Sequence, residues 1–91
     1  MTEEHHIEVV MSEVVDELYR GDHKHGRQDG LCLEKFYLIV GEEFGELGQA
    51  VSAMVFDNGK HHDELCWKEE AVQCMAMLLK MLLRGKNDSL V

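Results

Sequence analysis

Glutamates at helical spacing are the side chains of this sequence best suited to chemistry. Glu43 and Glu46 lie three residues apart, and Glu70 follows after 23 intervening residues. With a turn of about 100° per residue, Glu43 falls within an apolar stripe that includes Phe36 and Leu47, where an unpaired carboxylate is costly. A divalent cation would compensate this charge, and clustered carboxylate oxygens suit Mg²⁺ or Mn²⁺. The alternative is a solvated acidic helix face, which is common in acidic proteins.

Helices are expected to position these carboxylates, because apolar residues recur at spacings of three and four along most of the chain. The predicted order is a helix over 3–20 with Thr2 as its N-cap, a polar loop over 21–30, a helix over 33–56, a turn at 57–59 and a helix over 61–84. A short turn makes the last two helices antiparallel neighbours. Glu70 can then lie across from Glu43 and Glu46.

The predicted fold class is all-α: a bundle of three main helices, with or without a short extra helix, in a single domain over residues 1–91. The third predicted helix is apolar over most of its circumference, and such a helix needs more than one partner surface. A chain of 91 residues also buries little surface by itself. We therefore expect a homodimer or homotetramer in which the third helix helps to build a shared bundle.

The composition narrows the classes of function. Asp and Glu number 18 against 9 Lys and Arg, and the formal net charge of -9 disfavours binding to nucleic acids and anionic membranes. The N-terminal residues lack the apolar core of a signal peptide, and no run approaches the roughly 20 apolar residues of a membrane span. Cys32, Cys66 and Cys74 form no CxxC pair and are expected to be reduced. These features predict a cytoplasmic protein with neither a nucleic-acid nor a membrane partner.

Basic residues in the predicted loop form a second candidate feature. Lys24 and Arg27 lie on either side of Gly26, in a segment from which their charged groups could reach a phosphate. The alternative is that they only balance nearby acidic residues. The sequence leaves both interpretations open.

Three segments follow one another in an order typical of a known family. Lys24-His25-Gly26-Arg27-Gln28 comes first, then Gly41-Glu42-Glu43-Phe44-Gly45-Glu46-Leu47, and then Glu70-Ala71-Val72-Gln73. The first is similar to a Lys-Trp-Gly-x-Gln stretch, and the other two to an EExxE…ExxD signature. Together they resemble the MazG-like all-α nucleoside triphosphate pyrophosphohydrolases over about residues 15–84.

The resemblance implies a function and a set of site residues. In that family the acidic motifs bind Mg²⁺, an activated water attacks the α-phosphorus of a nucleoside triphosphate, and a monophosphate and pyrophosphate are released. Matched position by position, it implies Glu43, Glu46, Glu70 and Gln73 as metal ligands, Glu42 and Glu43 as catalytic residues, and Lys24, Arg27 and Gln28 as substrate-binding residues. The implied role is Mg²⁺-dependent cleansing of the nucleotide pool, with Mn²⁺ as a substitute ion. Such chemistry asks a protein mainly for positioning and charge neutralisation.

The sequence departs from the family pattern at two positions. Gln73 stands at the usual Asp position, which removes one charge, and His25 stands at the usual Trp position. Two other classes therefore stay open beside the enzyme. One is a catalytically weak or inactive relative that binds nucleotide or acts as a helical interaction protein, and the other is a purely structural helical adaptor.

Overall fold

Three α-helices form the architecture in a computed structural model, which describes residues 1–56 and 64–86. They are α1 (Glu3–His25), α2 (Leu33–Phe56) and α3 (Glu64–Arg84). The described residues contain no β-sheet, so the predicted all-α class is confirmed. The bounds of α2 match the predicted helix. The predicted turn at 57–59 and the first predicted turn of the third helix, 61–63, lie outside the described residues.

The first helix is longer than predicted, so the predicted loop over 21–30 is wrong in its first half. Thr2 caps the start as expected, because its Oγ1 accepts a hydrogen bond of 3.2 Å from a backbone N–H of the first turn. The helix ends only at Gly26, whose φ of 81° favours glycine and whose N–H donates to the carbonyl of Asp22 at 2.8 Å. Basic residues in its last turn also complement the negative end of the helix dipole.

The central element is α3, because α1 and α2 both pack against it. Between α1 and α3 the core consists of Val14, Leu18 and Ala76, with Val72 and Leu79 packed around them. These apolar side chains recur at helical spacing, so each helix presents one stripe to the other. Their burial fixes the two helices side by side.

The second helix runs antiparallel to α3, as predicted. The N–H of Leu33 donates to the carbonyl of Lys86 at 2.8 Å, and the N–H of Lys86 donates to the carbonyl of Leu31 at 3.1 Å. Gly85 permits this approach, because a Cβ there would lie 2.9 Å from Leu33 Cδ2 of α2. The start of α2 is therefore fixed to the end of α3, and the middle of α2 faces the first half of α3.

A buried ion cluster fastens the end of α1 to α3. The carboxylate of Asp22 accepts hydrogen bonds of 2.6 and 3.0 Å from Arg84 and pairs with Lys80 at 3.2 Å. Lys80 and Arg84 also donate to the carbonyls of Gly26 and Arg27, each at 3.1 Å. Hydrogen bonding by Arg84 first, and then by Lys80, lowers the pKa of Asp22 to about 2. We call these three charged residues the Asp22 cluster, and they fix the path of the chain as it leaves α1.

Several large apolar side chains on the three helices stay exposed. On α2 they include Tyr37, Leu38 and Phe44, and on α3 they include Leu78 and Leu82. None of the described helices combines the length and apolar character needed to cross a membrane.

Candidate metal site

The middle of α2 and the first half of α3 bring three carboxylates together. One oxygen each from Glu43, Glu46 and Glu70 lies within 4.8 Å of the others. Glu43 and Glu46 are one helical turn apart and so lie near one another on α2. Glu70 reaches them because α3 runs antiparallel alongside. The structure thus places these three predicted ligands side by side.

Two of the three carboxylates have a buried oxygen without a partner. Glu43 Oε2 and Glu70 Oε2 are inaccessible to water and accept no hydrogen bond within the described part of the chain. Glu46, the third member, is exposed. A buried carboxylate oxygen without a donor is costly. Either a proton or a cation must therefore satisfy this cluster.

Burial raises the pKa of Glu43, and the charges of Glu46 and Glu70 raise it further. Burial also raises the pKa of Glu70, followed by the charge of Glu46 and a hydrogen bond shared with it. Both shifts have one physical cause, which is that negative charges are gathered away from water. A divalent cation bound among them would favour the ionised forms instead.

Glu43 and Glu46 line a groove of about 260 Å³ to which all three helices contribute, whereas Glu70 lies behind them and does not line it. Gln73 lines this groove together with Glu43 and Glu46, and its amide offers an oxygen acceptor. Lys24 lines it from α1 and forms neither a hydrogen bond nor an ion pair with another residue of 1–56 or 64–86. Lys80 also lines the groove, but its ammonium is engaged in the Asp22 cluster. Lys24 is therefore well placed to bind an anion.

Besides Glu70, three other predicted site residues do not line the groove. Glu42 is exposed and lines a separate surface depression on α2. Arg27 pairs with Asp29 at 2.8 Å, at the surface. Gln28 has a φ of 59°, and its carbonyl accepts a hydrogen bond from Leu31 in the turn that follows α1. The structure therefore brings Lys24 to the carboxylates without Arg27, Gln28 or Glu42.

Sequence reasoning missed the contribution of α1 to the groove. Glu17 lines it, and Arg20 holds the carboxylate of Glu17 with hydrogen bonds of 2.8 and 2.6 Å. The available signal was the spacing of Glu17, Arg20 and Lys24, which places them on one helical face. That face was hidden because the helix was predicted to end at residue 20.

Comparisons with known proteins assign no family to the chain. No family model matches it, and neither a curated protein nor a solved structure does. The groove presents oxygen donors from α2 and α3 and an ammonium from α1, an arrangement suited to a divalent cation bound together with a phosphate.

Proposed function

We propose that this protein is a Mg²⁺-dependent hydrolase that converts nucleoside or deoxynucleoside triphosphates to monophosphates and pyrophosphate, and so cleanses the nucleotide pool. The observation that carries the proposal is the pair of buried, unpartnered oxygens of Glu43 and Glu70, contributed by antiparallel helices to one cluster. The resemblance of residues 15–84 to the MazG-like pyrophosphohydrolases supports this class of reaction.

The donor set fits Mg²⁺, with Mn²⁺ as a substitute. Glu43, Glu46 and Glu70 offer carboxylate oxygens, and Gln73 offers an amide oxygen. When bound, Mg²⁺ neutralises phosphate charge and keeps coordination positions for water and substrate. The contribution of the chain is to hold these donors in place on two packed helices, so that little reorganisation is needed.

Three glutamates are candidates for orienting the attacking water. The family resemblance favours Glu42, together with Glu43. Glu17 is better placed for a substrate in the groove, because it lines the groove and its charge reaches Glu43. We therefore propose Glu17 as an orienting residue in addition to Glu42 and Glu43.

Lys24 is the proposed phosphate-binding residue of α1. Its ammonium is exposed on the wall of the groove, and an ammonium binds phosphate as a point charge. The groove of about 260 Å³ is smaller than the roughly 300–1,000 Å³ of pockets that enclose drug-sized ligands. We expect it to hold the ion and the phosphates, while the base lies outside it.

The proposed setting is the cytoplasm, where nucleoside triphosphates are available, and the proposed assembly is a homodimer or homotetramer. Exposed apolar side chains on α2 and α3 support the assembly, since large apolar patches on a protein surface mark interaction sites.

Hydrolysis with a panel of nucleoside triphosphates tests the function directly. With Mg²⁺ and ¹⁸O-labelled water, we expect pyrophosphate release and label in the monophosphate, because the water oxygen forms the new bond to the α-phosphorus. Glu43→Gln should abolish turnover, whereas Glu34→Gln, which removes an exposed carboxylate from the first turn of α2, should leave it unchanged. Label in pyrophosphate, or equal effects of the two variants, would overturn the proposal.

Binding without turnover is the second candidate, and Gln73 is the observation that favours it. Gln73 lines the groove where a further carboxylate would strengthen the hold on Mg²⁺. Titration of the protein with Mg²⁺ and a non-hydrolysable triphosphate, without product formation in the ¹⁸O assay, would establish this role. Failure to bind either ligand would favour the structural helical adaptor.

Gln73→Asp is predicted to tighten Mg²⁺ binding by roughly tenfold, which corresponds to about 1.4 kcal/mol. The reason is that a charged oxygen replaces a neutral one beside the cluster. Calorimetric titration measures the change, and Ser12→Asp is the control, because it adds the same charge at an exposed position of α1 that does not line the groove. An unchanged affinity, or the same gain in the control, would contradict the assignment of Gln73 as a ligand.

A further inference from the structure

One exposed face of α2 carries a regular line of apolar and small residues. Spacings of four and three residues align Tyr37, Gly41, Phe44, Gly48, Val51 and Val55, which we call the α2 seam. Tyr37 is 71% exposed, Phe44 67% and Val55 56%. A Cβ added at Gly41 or Gly48 would meet nothing within 4 Å. The α2 seam therefore has no covering partner among the described residues.

The α2 seam lies on the side of the helix away from the metal site. Helical spacing places Glu46 on one flank of the buried stripe of α2 and the seam on the other. On α3, the side opposite Gln73 likewise carries Met75, Leu78 and Leu82, which are 40%, 44% and 84% exposed. The exposed apolar surfaces of α2 and α3 thus lie on the same side of the molecule, opposite the groove. A partner that covers them leaves the groove open.

Large and small residues alternate along the α2 seam from Tyr37 to Gly48, two valines follow, and the seam complements its own reverse. If two copies run antiparallel about a two-fold axis between Phe44 and Gly48, Phe44 lies opposite the partner's Gly48. Val51 then lies opposite the partner's Gly41, and Tyr37 opposite the partner's Val55. A parallel arrangement in register would instead set phenylalanine against phenylalanine and glycine against glycine, so the size pattern specifies the antiparallel one.

The exposed apolar side chains of the α2 seam supply a large part of the area that a dimer needs. An aromatic side chain buries about 150–250 Å², so covering Tyr37 and Phe44 in two copies removes on the order of 500 Å² from water. Leu38, Val51 and Val55 of both copies add to this area, as does the exposed side of α3. Stable interfaces bury roughly 1,200–2,000 Å² in total, and α2, with 24 residues, provides the length for it.

We propose that the α2 seam is the centre of a homodimer interface, in which a second copy packs antiparallel and each Phe44 covers the partner's Gly48. This interface is separate from the proposed catalytic function, because none of its residues belongs to the carboxylate cluster. Among interface residues, buried aromatic side chains contribute most to affinity. Phe44 is accordingly the residue whose truncation should weaken the dimer most.

Sedimentation equilibrium of the full chain tests the interface. We expect a dimer at micromolar concentration and an increase of at least about tenfold in the dissociation constant of Phe44→Ala, as for a central aromatic residue of an interface. Tyr19→Ala is the matched control, since Tyr19 is an aromatic residue on α1 that is 60% exposed, and it should leave the constant unchanged. A wild-type monomer, or equal effects of the two substitutions, would overturn the proposal.

Mixing two variants tests the register. Gly48→Phe places a ring where the partner's Phe44 must lie, so this variant should be monomeric, and circular dichroism confirms that it is folded. In a mixture with Phe44→Ala, position 44 of each copy faces position 48 of the other, and each such pair holds one large and one small residue. A heterodimer should therefore form. If Gly48→Phe alone dimerises like the wild type, or if the mixture stays monomeric, the proposed packing is wrong. Should Gly48→Phe fail to fold, Phe44→Ala alone decides the outcome.

Discussion

At the scale of single residues, the chemistry depends on two carboxylate oxygens that the fold buries without a donor. Glu43 Oε2 and Glu70 Oε2 accept no hydrogen bond within the described residues. A protein can tolerate this in two ways, by keeping the carboxyls protonated or by binding a cation. Which one prevails depends on pH and on Mg²⁺, so the same two groups link stability to both.

The stability of the metal-free protein should fall as pH rises above 4.5. Glu43 and Glu70 have pKa values raised above the usual 4.5, so folding favours their protonated forms. Their contribution to stability is complete below 4.5 and is lost as pH rises through the raised values. Thermal unfolding of metal-free protein across this range measures the loss, and saturating Mg²⁺ should remove it, because the ion favours the ionised carboxylates.

Glu43→Gln provides the control for this pH profile, because the amide has no proton to lose. The variant should lose less stability with rising pH than the wild type, while Glu34→Gln should follow the wild type. If the stability of the wild type and of Glu43→Gln changed equally with pH, the ionised carboxylates would not destabilise the metal-free fold, and the prediction would be wrong.

At the scale of elements, the Asp22 cluster decides where α1 ends and what its last turn faces. Its members lie up to 62 positions apart in the sequence, and the side chains of Lys80 and Arg84 are only 4% and 7% exposed. By fastening Asp22 and the carbonyl of Gly26 to α3, the cluster keeps the last turn of α1 helical. Lys24 belongs to that turn and is thereby held at the groove.

Asp22→Asn is predicted to lower the free energy of unfolding by about 3 kcal/mol, because breaking a buried ion pair leaves uncompensated charge. Asp29→Asn is the control, since Asp29 is 59% exposed in its pair with Arg27 and exposed ion pairs contribute little to stability. Chemical denaturation at a fixed protein concentration compares the two. Because the pKa of Asp22 is about 2, the wild type should lose this contribution as pH falls from 3.8 towards 2. Equal costs for the two variants would contradict the structural role of the cluster.

The Asp22 cluster also marks the limit of what the sequence could predict. Local periodicity predicted α2 and the placement of Glu43 inside an apolar stripe, because both depend on residues within a few turns. The end of α1 depends instead on Arg84 and Lys80, which no local pattern connects to Asp22. A glycine at position 21 amid polar residues is typical of a loop. The sequence therefore did not predict the helical face that brings Glu17 and Lys24 to the groove.

At the scale of the whole molecule, a net charge of -9 acts against self-association. Two copies repel each other, so the apolar contact of the α2 seam has to exceed this repulsion. The charge also explains why a cation is a natural ligand, since each bound Mg²⁺ lowers the net negative charge by two. The excess of carboxylates thus favours solubility and opposes assembly.

Added salt is therefore predicted to strengthen the dimer. The Debye length shortens from about 30 Å at 0.01 M to about 8 Å at 0.15 M salt, so repulsion between the two copies is screened, while the apolar contact is little affected at these concentrations. Sedimentation equilibrium in increasing NaCl should show a dissociation constant that falls several-fold over this range. Mg²⁺ at matched ionic strength should lower it further in the wild type and less in Glu43→Gln, because only the wild type keeps the whole cluster. An affinity that weakens with salt would indicate an interface built on charge pairs, and the α2 seam would then not be its centre.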